Sequence, residues 1–314
     1  MQYRTLGKTG LNVSLASYGT GGQSQFGQKA GLEQKAQDDL IHRCLDLGIN
    51  LFDTHEAYGS SEEILGRSLK GVPRDSYYLI TKWRYHNRGV PKEDAEDLAR
   101  SVERSLSRLN TDYVDIMMIH GIMTADYDLV MERFMPVMDR LRTEGKFRFN
   151  GFSTRYIVDP WQESPPLALK KDPDIWDTVM LKYGILNQIA ANETLPLAIE
   201  HNVGILNMAS VRVRLPNPQL LMETIADWKQ KGYLAEDSLP TDDPLGWLVH
   251  GDVDSVISAA YKFAAEHPAI STVITGTGSI DHLETNVAAL EKPSLPPEDA
   301  QRIRDLFGQI GEYA

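Results

Sequence analysis

The chain has a single cysteine, Cys44, in 314 residues, so no intrachain disulfide can form and no cysteine-rich zinc site can be assembled. No run approaches the ~18 consecutive apolar residues that a membrane-spanning helix needs, and no signal peptide is visible at the start. The expectation is a reducing, cytoplasmic setting without membrane contact. Positive charge is also scarce: 32 Lys and Arg against 44 Asp and Glu leave a net charge of −12 and a pI near 5.1. Gripping nucleic-acid phosphates requires a basic face, so nucleic acid is not an expected partner. The eight histidines form no H-x-x-x-H pair, which argues against metal catalysis. Ser60 and Ser61 lack a G-x-S-x-G context, which argues against a serine hydrolase.

What the chain does have is alternation. Short apolar, β-branched runs at 15–19, 49–54, 77–82, 113–120, 147–153, 177–183, 203–208 and 271–275 read as strands. Amphipathic segments at 34–47, 61–70, 91–109, 127–144 and 192–201 read as helices between them. Several strand runs are apolar on both faces, as in a covered parallel sheet. Eight strand–helix alternations over this length predict a (β/α)8 TIM barrel in one domain, 1–314. A doubly wound open sheet is the alternative, and the poor match of Gly19-Thr20-Gly21-Gly22 to G-x-G-x-x-G argues against it. Residues 1–14 read as an N-terminal hairpin, 209–270 as a long insertion after strand seven, and 298–307 as a C-terminal helix.

Barrel enzymes place reactive groups at the C-terminal ends of strands. Those ends hold Asp53, Lys82, His120, Ser153 and Tyr183, with Tyr58 in the loop after strand two. Any one of them alone reads as a polar residue meeting solvent. An acid, a lysine and a histidine ending three successive strands read as a site.

At these residues the sequence resembles the aldo-keto reductase family. The segment 48–54 (GINLFDT) with Ala57-Tyr58-Gly59-Ser60-Ser61-Glu62 and Leu65-Gly66 is similar to the family signature. Ile80-Thr81-Lys82, the run from Asp112 to His120, Gly151-Phe152-Ser153 and the opening Tyr3-Arg4-Thr5-Leu6-Gly7 resemble further family segments. The resemblance implies NAD(P)H-dependent hydride transfer between a carbonyl (aldehyde, ketone or aldose) and an alcohol. Such a reaction needs a proton donor for the nascent alkoxide and positive potential around it. Tyr58 is then the acid/base, tuned by Lys82 and Asp53, because a nearby ammonium favours a phenolate. His120 orients the substrate oxygen.

The resemblance also implies a nicotinamide site at Ser153 and Thr154, with Tyr183 stacking on the ring. Thr154 stands where Asn is usual, and Met180 where a Gln is usual. Thr20 and Gly21, Ser210, Val211 and Arg212, and Gly276, Thr277 and Gly278 are the expected loops against the dinucleotide, with His282 and Asn286 beside the adenosine. NADP(H) is the family's usual cofactor. NAD(H) is the alternative, since the base expected to meet the 2′-phosphate is missing between Gly276 and His282. Trp83 and Phe26, with His86 and the aromatics of the insertion, are the expected pocket walls, and no cluster of positive charge for an anionic substrate is visible. Two rival readings are an NAD-dependent sugar or alcohol dehydrogenase and a cofactor-binding regulatory subunit, as some barrels resembling this family serve in channels.

Overall fold

In this computed structural model, which describes residues 1–22, 24–211 and 213–312, the chain opens with an antiparallel hairpin, β1 (Tyr3–Thr5) and β2 (Asn12–Ser14). The barrel begins with β3 (Ala16–Gly19), α1 (Gln34–Asp46), β4 (Leu51–Asp53), α2 (Ser61–Ser68) and β5 (Tyr78–Trp83). A small ribbon, β6 (His86–Asn87) and β7 (Val90–Pro91), precedes α3 (Glu96–Leu109) and β8 (Val114–Ile119). Next come α4 (Tyr127–Arg133), α5 (Met135–Thr143), β9 (Phe147–Ser153), α6 (Ser164–Lys171), β10 (Thr178–Lys182), α7 (Thr194–Glu200) and β11 (Gly204–Met208). The insertion folds as α8 (Pro218–Gln230) and α9 (Val256–Glu266); β12 (Ile270–Thr275), α10 (Ile280–Glu291) and α11 (Pro297–Phe307) finish the chain.

Strands β3, β4, β5, β8, β9, β10, β11 and β12 pair in parallel in that order, and β12 pairs back onto β3 through Val273 and Ala16. The barrel is therefore closed and has no free edge. Leu51, Ile80, Ile116, Met118, Met180 and Leu206 fill its interior together with Leu6, Leu11 and Val13 of the hairpin. The hairpin thus plugs the N-terminal end, seated by Lys8, whose backbone N–H and Nζ reach the Asn202 and Pro173 carbonyls, both at 2.6 Å. The outward strand residues, among them Phe52, Leu79, Met117, Phe152 and Val179, pack under the helices in a second core.

Two expected helices differ. The segment 127–144 is two helices broken at Phe134, because Pro136 has no N–H to continue the ladder and instead sits in the first turn of α5. Residues 86–91 form the ribbon rather than the start of a helix, and α3 begins only at Glu96. Within the insertion, α9 is the helix that covers β12, while α8 packs on α11, with the Trp228 and Phe307 rings 6.1 Å apart.

Gly66, inside α2, faces the end of α3, where an added methyl would collide with the Arg108 carbonyl oxygen and lie 2.8 Å from that of Leu109. Helix propensity alone favours Gly66→Ala by about 1 kcal/mol. Overlap with backbone has no rotamer escape, so the substitution is expected to destabilise by about 1–3 kcal/mol. A lowered urea midpoint at unchanged slope checks this, and a raised midpoint contradicts the packing.

Candidate active site

The side chains of a strand alternate, and the inward rows Leu51 to Asp53 and Ile80 to Lys82 bring an acid and a lysine to the barrel's C-terminal mouth. Lys82 is 1% exposed and Asp53 5%, so each needs the other. Lys82 Nζ donates to Asp53 Oδ1 and to the Thr54 carbonyl, the latter at 2.8 Å. Burial lifts the Asp53 carboxyl above the usual carboxylate range, and the Lys82 ammonium works against that lift. The same ammonium stands 5.3 Å from the Tyr58 ring centroid. Tyr58 lies against the backbone of Gly21, where a Cβ would stand 2.5 Å from the ring. Gln28 holds the Tyr58 loop by donating to the Tyr58 carbonyl (3.1 Å) and Ser61 Oγ (2.8 Å) and accepting from the Ser60 N–H (2.8 Å).

His120 continues the inward row of β8. Its ring lies 4.7 Å from that of His55, which is 5.1 Å from Tyr58. Burial first, then the charges of Lys82, Arg84, His86 and Arg155, push the His120 imidazole down to about 3. Burial, with Arg155 and Arg84, pushes His86 to about 4, and burial with His120 and Lys82 pushes His55 lower still. All three are neutral at physiological pH. The Ala57 N–H donates to His55 Nδ1 (2.7 Å) and that of Gly89 to His86 Nδ1 (3.2 Å), which leaves each ring proton on Nε2. Those two Nε2 atoms and His120 Nδ1 are buried without a partner among the described residues.

Beside Asp53 and Tyr58 opens a cleft of about 890 Å³. Of the residues expected against a dinucleotide, Gly21, Ser210, Val211, Gly276, Thr277, Gly278 and His282 line it. Tyr18 donates to the Thr277 carbonyl at 2.5 Å and fixes the glycine turn, which enters α10 capped by Ser279. Thr20 is buried with an unpartnered hydroxyl. Ser153 accepts from the Gly121 N–H (3.0 Å), and Thr154 donates to buried Gln162 (3.1 Å), which also ties to the Lys182 backbone. Asn286 is half-buried on α10, one turn beyond His282. Arg212 lies outside the described residues.

Three expectations need correction. Tyr183 belongs to the outward row of β10 and stacks on Phe263 of α9 (5.6 Å), while Met180 and Met208 line the cleft. Trp83 points outward, donates to Asp97 (3.0 Å) and packs on Phe134. Phe26 is fully buried edge-on to Tyr18, so neither is a pocket wall. Sequence reasoning also missed Gln28, Gln162, Arg84 and Arg155. No spacing signals them, because each reaches the site from a different loop.

The glycine turn, the N-terminal end of α10 and the long cleft fit a nucleotide's phosphates and rings. A family model described as "Aldo/keto reductase family" matches residues 19–307. The chain belongs to the aldo/keto reductase family. This aldo/keto reductase is 28% identical to "L-galactose dehydrogenase" of Arabidopsis thaliana, over 99% of its length and 95% of the relative's. It is 31% identical to "NADH-specific methylglyoxal reductase" of Escherichia coli K12, over 96% and 97% of the two chains. Among solved structures it is similar to "aldo-keto reductase AKR11C1 from Bacillus halodurans (holo form)", with TM-score 0.71 and 27% identity over 98% and 96% of the chains. The family is one of NAD(P)H-dependent oxidoreductases acting on small-molecule carbonyl compounds. No described helix of this aldo/keto reductase is long and apolar enough to cross a membrane.

The buried imidazoles of this aldo/keto reductase make its stability pH-dependent. The unfolded chain binds a proton at each near pH 6.5, whereas folded His120 refuses it until about 3. Their contribution is complete above the unfolded value and is lost as pH falls toward the folded one. Unfolding free energy should drop by about 1.4 kcal/mol per pH unit per histidine through that window. His120→Asn should remove one proton from the slope measured by urea unfolding at pH 7, 6 and 5. An unchanged slope would place a charged His120 in the folded state.

Proposed function

We propose that this chain interconverts a small carbonyl compound and its alcohol, with Tyr58 as the proton donor and acceptor. The observation that carries this reading is the line Asp53–Lys82–Tyr58, with His120 alongside, at the edge of a glycine-turned cleft. When bound, the nicotinamide supplies the hydride. Lys82 uses two of its three N–H donors on Asp53 and Thr54, which leaves the third for the Tyr58 side. Its positive charge stabilises negative charge developing on the substrate oxygen and on the phenol that gives up its proton. A neutral His120 is no proton source at physiological pH. It serves instead as a hydrogen-bond donor that fixes the carbonyl oxygen.

Ser153 and Thr154 are the proposed holders of the carboxamide, and Thr20, Gly21, Ser210 and Val211 the neighbours of the dinucleotide. The turn at Gly276, Thr277 and Gly278 and the start of α10 would take its phosphate. Reduction is the proposed direction. Oxidation of a sugar or alcohol uses the same groups in reverse, and the likeness to an L-galactose dehydrogenase supports that second direction. Tyr58→Phe is expected to lower kcat by about 10²–10⁴-fold with cofactor affinity retained. Near-native turnover would overturn the Tyr58 assignment. Cofactor binding without turnover by the unaltered protein, across aldehydes, ketones and sugars, would favour a regulatory subunit.

The described cleft lining holds no Lys or Arg, and His282 is its basic side chain. NADP(H) stays the family-based expectation, but a neutral lining discriminates weakly. NADH and NADPH are expected to bind within about tenfold of each other by fluorescence titration. A preference above about a hundredfold for NADPH would put a cation on the 2′-phosphate and single out Arg212 for substitution.

A further inference from the structure

Resting on that reading, we propose that the substrate carries an anionic group, a carboxylate or phosphate, received by Arg84 and Arg155. Arg84 lies two residues beyond Lys82 in the loop after β5, and Arg155 two beyond Ser153 in the loop after β9. His120 directly follows β8, the strand between them in the barrel. The stem of Arg155 lies across Gly121, where an added methyl would stand 2.7 Å from Arg155 Cδ, so this arginine adjoins His120 directly. Tyr156, next to Arg155, lines the cleft.

Both arginines are half-buried, and neither guanidinium forms a hydrogen bond or ion pair among the described residues. Elsewhere the arginines find acids readily: Arg67 pairs with Asp38, Arg74 with Asp115 and Arg140 with Glu96. In a chain of net charge −12, two unpaired guanidinium groups beside the acid/base cluster are the exception. The carboxylate that acts on neighbouring His86 is Asp126, which already accepts from Tyr85 (2.7 Å). His86 itself is 4% exposed and holds a buried Nε2–H without a partner. The free polar groups here are therefore donors, and no described group of His, Cys, Asp and Glu is placed to hold a metal ion. A planar guanidinium matches a carboxylate or phosphate with paired hydrogen bonds.

These cations do not belong to the dinucleotide's phosphate turn. That turn follows the eighth barrel strand, β12, while Arg84, His120 and Arg155 follow the third, fourth and fifth, half a barrel away.

The test is kcat/KM for matched pairs: 4-oxobutanoate against butanal, and glyceraldehyde 3-phosphate against glyceraldehyde. The unaltered protein should favour the charged member of at least one pair, and which pair it is tells carboxylate from phosphate. Arg84→Gln and Arg155→Gln should each lower the charged-to-uncharged ratio by about tenfold or more, mainly through KM. Arg88→Gln, an exposed cation of the ribbon, should change that ratio less than about twofold, which separates contact from general charge. A preference for the uncharged members, or a ratio unmoved in both arginine variants, overturns the proposal. Should the protein turn over nothing, the carbonyl-reduction reading fails, and calorimetric titration with succinate and inorganic phosphate still reads the two arginines. Binding lost in Arg84→Gln and Arg155→Gln supports it, and no binding by the unaltered protein refutes it.

Discussion

Period-two alternation along the barrel strands governs which residues can stand in the site. In a closed barrel, one row of each strand faces a filled interior and the other lies under helices, so a one-residue change of phase moves a side chain across the wall. Leu51, Ile80, Met118, Met180 and Leu206 mark the inward rows. Continued to the C-terminal mouth, those rows end in Asp53, Lys82, His120, Lys182 and Met208. Trp83 and Tyr183, each one residue further on than an inward lysine, are therefore outside the barrel. Closure through β12 and β3 and the hairpin plug keep those rows in phase by burying every alternative.

The interior that makes the phase strict also makes charge costly there. An ammonium as buried as Lys82 persists because Asp53 and the Thr54 carbonyl satisfy it together, and removing one partner of such a pair costs about 3–5 kcal/mol. The surrounding imidazoles respond in the opposite way, by staying neutral. The buried ammonium of Lys82 and a set of neutral imidazoles thus stand side by side at the mouth, an arrangement that stabilises a developing alkoxide without a charged imidazole competing for it.

The mouth has two unlike sides. Toward β12 and β3 it is a neutral, glycine-turned cleft with the N-terminus of a helix, suited to a flexible ligand with phosphates. Toward β5, β8 and β9 it carries guanidinium groups with no acid partner among the described residues, although the chain as a whole is strongly acidic. Net charge describes the outer surface; the site is set by which few cations lack a counter-ion.

Most of the fold was legible in the sequence, since all eight barrel strands and the plug hairpin follow from short two-faced apolar runs and turn residues. Pro136 was the readable break that the periodicity of 127–144 concealed. The trio of Asp53, Lys82 and His120 was visible too, because strand ends can be counted along a chain. Contacts between loops were not. Arg84 and Arg155 are 71 positions apart and show no pattern, Gln28 reaches Tyr58 from another loop, and the phase that turns Tyr183 onto Phe263 differs from the inward one by a single residue. The sequence by itself determined the elements and the chemical groups at their ends. Only the closed barrel decided which of those groups meet, because that depends on strand order and inward phase, which local periodicity does not carry across a loop.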